Sequence, residues 1–417
     1  MYSFAHLADC HLGAFRELPL REINLNSFVF AVEKCIEKKV DFIIISGDLF
    51  HSNIPDMDIV NRAVMVLKKA NDCGIPVYVV YGSHDYSVNH SSIIDILKSA
   101  GIIINVFNLK QENGEFVPEF LIDKKTGAKI SGMSARKMGN EISYFNQANF
   151  SSFEKETGFK IFIFHSCLDE MKPEIFSEMP SVPLSSFPRN VNYYAGGHVH
   201  IRMESDFLGY GKFVFPGVLF GADFRDLEEV SKNKGGFFVV HFDNSGIKER
   251  EFIKIDSAEI AVLSYSFSNK SAGEIREKLF SDILSKELDK KIVLIKVKGE
   301  ITTGSISDID FPLLIEEVLK KGAKTANLNR HSLEYKEKIE VKIYGEDISK
   351  IKDSVFLESI ANFKGKDERL IGNRGFGLSK ELFETLKKEQ IENEKKSGYE
   401  ERITKESLNI LGDIVET

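Results

Sequence analysis

Cysteine is scarce in this chain: Cys10, Cys35, Cys73 and Cys167 are the only four in 417 residues. No two form a C-x-x-C pair, and all lie inside apolar or motif segments. That argues against a disulfide framework or a zinc ribbon, and for free thiols in a reducing cytoplasm. No apolar run reaches the roughly 20 residues needed to cross a bilayer, so no membrane span is expected. The opening Met1-Tyr2-Ser3-Phe4-Ala5-His6 has no basic or apolar leader region and reads straight into a strand, so no signal peptide is expected. Positive charge is not in surplus either. The formal net charge is −8, which counts mildly against a nucleic-acid partner. The objection is limited, because net charge is not charge distribution and bound divalent cations would offset carboxylates locally. Residues 261–350 carry 16 Lys and Arg against 15 Asp and Glu, making the middle of the chain its least acidic part. No internal repeat or low-complexity tract is visible.

What is present is ordinary for a soluble globular protein, with 42% hydrophobic and 28% charged residues. The length suggests roughly two to three domains. The first half alternates strand and helix signals. Phe4–Ala8 is an apolar run stopping at Asp9, Asn26–Lys39 has helical spacing, and Phe42-Ile43-Ile44-Ile45 is a buried-strand run. A helix over Asp58–Asp72, a strand at Val77–Tyr81, a helix near Ser92–Ser99 and the run Ile102-Ile103-Ile104 follow. This order predicts a parallel or mixed sheet covered by helices. Later strands, at Lys160–Phe164, Tyr193–Ala195, Phe213–Phe215, Gly236–Phe242 and Lys248–Ile255, have fewer helices between them. They suggest a second, more antiparallel sheet packed on the first.

A second unit begins near residue 259. Ala261–Phe267 reads as a strand, Ser271 with Glu274 as a capping box, Ile292–Val297 as a strand, and Asp310 with Pro312 as a helix start ended by Gly322. Val341-Lys342-Ile343 would complete a small α+β domain. Phe363–Phe376 is rich in glycine and charge and reads as an extended linker. Ser379–Asn393 and Thr404–Val415 read as two amphipathic helices separated by Ser397-Gly398, with Leu382, Phe383 and Leu386 on one side of the first. Leu408, Leu411, Ile414 and Val415 lie on one side of the second. Such short helices bury little by themselves.

Five clusters carry chemistry: Asp9-Cys10-His11, Gly47-Asp48, Gly82-Ser83-His84-Asp85, His165, and Gly196-Gly197-His198-Val199-His200. Each follows an apolar strand run, at the sheet edge where open α/β folds bind ligands. Asp9 and His11 are two apart, as are His198 and His200, so each pair points one way where the chain is extended. Carboxylate oxygen mixed with imidazole nitrogen suits Mn²⁺, Fe²⁺ or Zn²⁺, and all-oxygen Mg²⁺ less well. Asp48, in a tight Gly-Asp turn, could bridge two ions, and the glycines admit close backbone approach.

The ordered set D-x-H, G-D, G-S-H-D, H and G-H-x-H resembles the signature of the calcineurin-like metallophosphoesterases across about the first 220 residues, including Phe215-Pro216-Gly217. His6-Leu7-Ala8-Asp9-Cys10-His11-Leu12-Gly13 and Gly47-Asp48-Leu49-Phe50-His51 look like the double-strand-break-repair nucleases of the SbcD type, in their archaeal and eukaryotic branch. That resemblance implies an α/β fold, a four-layer αββα sandwich over 1–258. It also implies a DNA-binding capping domain over 259–347, a linker over 348–376, and a C-terminal helical pair over 377–417 that docks on the coiled coil of an SMC-like ABC ATPase. It implies two Mn²⁺ ions per subunit, with Mg²⁺, Fe²⁺ or Zn²⁺ as substitutes. Asp9, His11, Asp48 and His200 would hold one ion, and Asp48, Ser83, His165 and His198 the other. His84 would contact the scissile phosphate or protonate the leaving oxygen, with Asp85 orienting it. The implied reaction is phosphodiester hydrolysis by hydroxide held between the ions, as 3′→5′ exonuclease on duplex DNA and endonuclease on single strands. The implied assembly is a homodimer joined to two ATPase subunits, cytoplasmic and nucleoid-associated, or nuclear in a eukaryote.

The family pattern has asparagine where this chain has Ser83, a shorter and weaker oxygen ligand, which leaves the second ion's affinity open. Two alternatives therefore stay in view: a DNA-end-bridging scaffold with weak or lost nuclease activity, and a phosphodiesterase acting on a non-DNA substrate. His6 and Cys10 read as core residues. His90, His241 and His331 carry no functional signal. His51 and Tyr86 could touch DNA, as could Arg225. Lys290, Lys291, Lys296 and Lys298 read as phosphate contacts or as a solvated face.

Overall fold

The protein is described by a computed structural model over residues 1–85, 91–112, 115–136, 140–335, 348–361, 370, 372–391 and 396–412. It divides into two units, Met1–Tyr335 and Lys336–Thr417.

The β-branched runs and intervening apolar stripes form β1 (Tyr2–Leu7), α1 (Leu18–Glu37), β2 (Phe42–Ser46), α2 (Met57–Asp72), β3 (Val77–Val80), α3 (Ile93–Ser99) and β4 (Ile104–Asn105). Then come β5 (Leu121–Ile122), β6 (Lys129–Met133), α4 (Glu141–Gln147), α5 (Ser151–Lys155), β7 (Lys160–His165) and β8 (Tyr193–Gly197). β9 (Met203–Asp206), β10 (Lys212–Phe215), α6 (Phe224–Lys232), β11 (Gly236–Asp243) and β12 (Gly246–Lys254) complete this part. Helix α1 begins well before Asn26, because Pro19 suits a first helical turn and Leu20, Leu25 and Phe28 extend its buried stripe.

Two six-stranded sheets result, ordered β12-β11-β1-β2-β3-β4 and β9-β10-β8-β7-β6-β5. Strand alternation divides each between two layers. In β2, Ile43 and Ile45 pack with Phe28, Val32 and Leu67 of the helices. Phe42 and Ile44 face the other sheet and meet Ile161, Ile163, Tyr193 and Ala195. The outer face of the second sheet, with Phe162, Phe164, Tyr194 and Phe213, is covered by Phe145, Phe153 and Phe187. The architecture is the αββα sandwich.

The second sheet is not the more antiparallel one. β6, β7, β8 and β10 are mutually parallel, and only the edges β9 and β5 run antiparallel. The antiparallel hairpin β11–β12 instead pairs with β1 in the first sheet. Helix count between strands misled the sequence reading. The crossover from β7 to β8 is built from short 3₁₀ turns, not a full helix.

The same unit continues as a third sheet. β13 (Ile260–Lys270), α7 (Ala272–Ser285), β14 (Ile292–Ile301), α8 (Phe311–Lys320), β15 (Thr325–Asn329) and β16 (Leu333–Tyr335) place three strands parallel to central β14. The Ser271–Glu274 capping box opens α7, and Asp310 caps α8. Val293, Ile295 and Val297 lie under α7 and α8. On the other face Ile292 and Leu294 pack with Phe15, Leu20, Phe220 and Leu227 of the sandwich. The expected strand at Val341–Ile343 lies outside the described residues.

In the second unit, α9 (Ile348–Ala361), α10 (Gly372–Leu386) and α11 (Lys396–Leu411) are helical. The expected extended linker is therefore helical over 348–361 and again from 372. Its glycines at 372 and 375 fall among the first four residues of α10, whose N–H groups have no intrahelical partner to lose. For the same reason Ser397-Gly398 opens α11 instead of separating two helices. Phe356 packs edge-on against Phe383 at 5.4 Å between ring centroids. Ile414 and Val415 lie outside the described residues.

Candidate metal centre

The loops after β1, β2, β3, β7 and β8 meet at one edge of the sandwich. Two of them are zipped together by backbone: His11 N–H donates to Asp48 O at 2.9 Å, Leu12 N–H to Leu49 O at 3.0 Å, and His51 N–H to Leu12 O at 3.1 Å. Asn24 secures the first loop, its amide donating to Cys10 O at 3.0 Å. The side chains do not converge by strand parity as the sequence suggested. Asp9, His11, Asp48 and His198 all have left-handed backbone, with φ of 48°, 44°, 49° and 87°. That conformation is costly away from glycine and collects at functional sites. Gly82 is needed for room: a Cβ there would overlap the Asp48 carboxylate and backbone nitrogen.

Asp48 lies at the middle and is buried. It accepts from His84 N–H at 2.8 Å and from the Ser83 hydroxyl at 3.4 Å. Its Oδ2 is 3.3 Å from His165 Nε2 and 3.6 Å from His11 Nε2. His165 donates Nδ1–H to Ser46 O at 2.8 Å, and Asp226 accepts from His200 Nδ1 at 2.9 Å with either oxygen. Both imidazoles are thereby turned so that Nε2 faces the cluster, the usual device for orienting metal-ligating histidines. His11 Nε2 and His200 Nε2 face each other at 3.0 Å.

Whether a divalent ion suits these residues can be judged from the donor set. Two buried side-chain atoms at its heart are short of partners: Asp9 Oδ2 has no hydrogen bond, and His165 Nε2 has only the Asp48 carboxylate, 3.3 Å away and outside hydrogen-bond geometry. Such groups are expensive unless something else satisfies them. Ligand atoms of Asp9, His11 and His200 lie within 4.8 Å of one another, as do those of Asp9, Asp48 and His165. Mixed oxygen and nitrogen donors in this arrangement fit divalent transition-metal ions. The first group holds three of the four residues expected for the first ion, without Asp48. In the second, Asp9 takes part, while Ser83 reaches Asp48 and the His198 ring packs 5.1 Å from that of His165.

The electrostatics follow from burial among like and unlike charges. Burial raises the Asp9 carboxyl to about 6 against the pull of His165 and His200. Burial opposes ionisation of Asp48 too, but His165, then His11 and His84, hold it well below the usual carboxylate range. Burial disfavours the charged imidazoles of His165 and His200. Asp48 outweighs this at His165, lifting it to about 10, and Asp226 does so at His200, lifting it to about 9. Burial, then neighbouring His165, lowers His198 to about 3.

His84 lines a cavity of about 250 Å³ together with Asp48, Ser83, His198, His200 and Arg225. Its Nδ1 hydrogen-bonds to His51 O at 2.7 Å. Asp85 does not orient His84, contrary to expectation. Its buried carboxylate accepts from Gly82, Leu49 and Phe50 N–H at 3.0, 3.3 and 3.2 Å, fastening the third loop to the second. His51 is half-buried, its ring stacked on His84 at 4.8 Å. Tyr86 and His90 lie outside the described residues. Arg225 is exposed and ion-paired with Asp223. His6 is a satisfied core residue between Tyr193 and Ser46, and Cys10 is buried. The sequence reading missed Asp226. Its only local signal was Asp223, the cap residue of the helix that presents it.

Comparison with known proteins was consistent with this geometry. The family profile described as calcineurin-like phosphoesterase matches residues 2–202. A protein of Methanococcus maripaludis called DNA double-strand break repair protein Mre11 is 30% identical over 57% of this chain and 62% of its own length. Proteins of the same description from Archaeoglobus fulgidus and Methanopyrus kandleri are 25% and 24% identical. They match over 81% and 77% of this chain, and each match spans 76% of the relative.

Proposed function

The chain belongs to the calcineurin-like metallophosphoesterases, among the break-repair proteins of the SbcD type, and we propose that it is a Mn²⁺-dependent DNA nuclease. The reading covers 3′→5′ exonuclease action on duplex DNA and endonuclease action on single strands. The observation that carries it is the convergence of five strand-end loops on a buried Asp–His cluster whose Asp9 Oδ2 has no hydrogen-bond partner. Two bound cations would supply charge neutralisation on the phosphate and activated water. Asp9, His11 and His200 would hold one and His165 the other, with Asp48 serving both, and Ser83 and His198 would frame the second ion's side of the cavity. His84 donates Nδ1–H to the His51 carbonyl, so its imidazolium form would carry the second proton, on Nε2, for transfer to the leaving oxygen.

The third sheet supports a DNA-binding cap over 259–347. In register along β13 and β14, Ser264 stands beside Lys296 and Ser266 beside Lys298. Hydroxyls and lysines on a sheet face suit phosphate contacts. Not every lysine is free for this: Lys296 pairs with Glu228 and Lys291 with Glu259. Exposed Met57 and Met65 on α2 and Ile96 on α3 support a homodimer through these helices. Exposed Leu357, Leu386 and Leu408 on the C-terminal helices support docking on a coiled-coil ABC ATPase. Among the described residues no helix is long and apolar enough to cross a membrane.

The test is cleavage of an end-labelled duplex with Mn²⁺, Mg²⁺ or EDTA, beside His84→Ala. Mn²⁺-dependent cleavage lost in the variant is expected. No cleavage, even with the ATPase present, would favour the end-bridging scaffold. That second reading draws on Ser83, whose hydroxyl is spent on Asp48.

A further inference from the structure

Helix α6 touches both the metal centre and the third sheet through three successive residues. Asp226 is buried, with His200 Nδ1 2.9 Å from each oxygen and Ala222 N–H donating to Oδ2 at 2.7 Å. Leu227 is fully buried in the cluster that joins Phe15, Leu20 and Phe220 of the sandwich to Ile292 and Leu294 of β14. Glu228 receives Lys296 of β14, with Nζ 3.0 Å from both carboxylate oxygens. The helix has only nine residues. A helix this short has little stability of its own, so its position is set by what packs on it. Its start is also confined, because a Cβ at Gly221 would come within 2.7 Å of Asp226 Cβ.

The geometry points to α6 as a coupler: Glu228 and Lys296 are positioning residues that, through Asp226, set how well His200 holds its cation. Contact with the third sheet is thereby read out as metal affinity at the Asp9–His11–His200 group. This rests on the reading of the centre as a metal site. It adds that an ion pair two residues along the helix from Asp226, making no contact with the ligands itself, tunes one of the two cations and not the other.

The test is Mn²⁺ titration without DNA, followed calorimetrically, on the full chain. The Lys296–Glu228 pair is partly exposed, so its loss should weaken one Mn²⁺ step by no more than about fivefold. Lys296→Met and Glu228→Gln should do so alike, leaving the other step unchanged. Asp226→Asn should weaken the same step by about 10- to 100-fold. Combining Lys296→Met with Asp226→Asn should add little, because the first acts through the second. Lys278→Met, on the exposed side of α7, should leave both steps alone, and the exchanged pair Glu228→Lys with Lys296→Glu should restore wild-type affinity. Melting of each variant in EDTA reports whether its fold is intact. Unchanged Mn²⁺ affinity in both Lys296→Met and Glu228→Gln, or additive losses with Asp226→Asn, would overturn the coupling and leave the nuclease reading standing. Failure of the wild-type chain to bind Mn²⁺ at all would instead sink the metal-site reading beneath it.

Discussion

Protons and metal ions should compete for the same two imidazoles. His165 is lifted to about 10 and His200 to about 9, so both are protonated near neutral pH, yet a metal takes only neutral imidazole. The direction is therefore fixed: raised pKa values stabilise the protonated rings, and metal affinity must climb as pH rises toward them. Each pKa unit above the working pH costs about 1.4 kcal/mol. At pH 7 the competing proton costs about 4 kcal/mol at His165 and about 3 kcal/mol at His200. Each ion's Kd should then fall about tenfold per pH unit, or about a hundredfold between about pH 6 and about pH 8. Asp9, at about 6, steepens the loss further at the acid end. Titrating Mn²⁺ by calorimetry in two buffers of different ionisation enthalpy counts the protons. About two should be released as both ions bind near pH 7. A Kd flat across that window, with no buffer dependence of the heat, would refute the ionic pairing of these histidines with Asp48 and Asp226.

Asp48→Ala removes the carboxylate shared by the two sides of the centre, and elemental analysis should find both metals lost; full occupancy would contradict a bridging role. Ser83→Asn supplies a longer oxygen ligand and should tighten the weaker Mn²⁺ step. A large gain in DNA cleavage with it would favour the scaffold reading of the natural chain, and little change would mean serine serves adequately. Gly82→Ala pushes a methyl group onto the Asp48 carboxylate. It should cost about 1–3 kcal/mol of stability, read by denaturant melts, along with metal affinity. Wild-type values in both would mean the loop has slack that its geometry does not suggest.

The sequence by itself made the residues of the candidate centre legible. Asp9, His11, Asp48, His165, His198 and His200 are polar residues placed just after apolar runs, and that local pattern needs no partner to be legible. It also determined the first sheet's parallel core, because β-branched runs alternating with helical stripes can close their hydrogen bonds in few other ways. Tertiary structure alone decided the rest. β11 reads the same whether it joins the first sheet or the second, and only its antiparallel register with β1 settles which. Parity suggested that Asp9 and His11 point together, but left-handed backbone aims them, held by contacts to the loop after β2. Asp85 looked like a partner for His84 because the two are adjacent, yet its carboxylate reaches backbone N–H groups of another loop. Asp226 had no visible role, since the ring it orients is 26 residues away in sequence. Local pattern records what a residue can do. Which neighbour it does it with depends on long-range packing, which a chain read in one dimension does not contain.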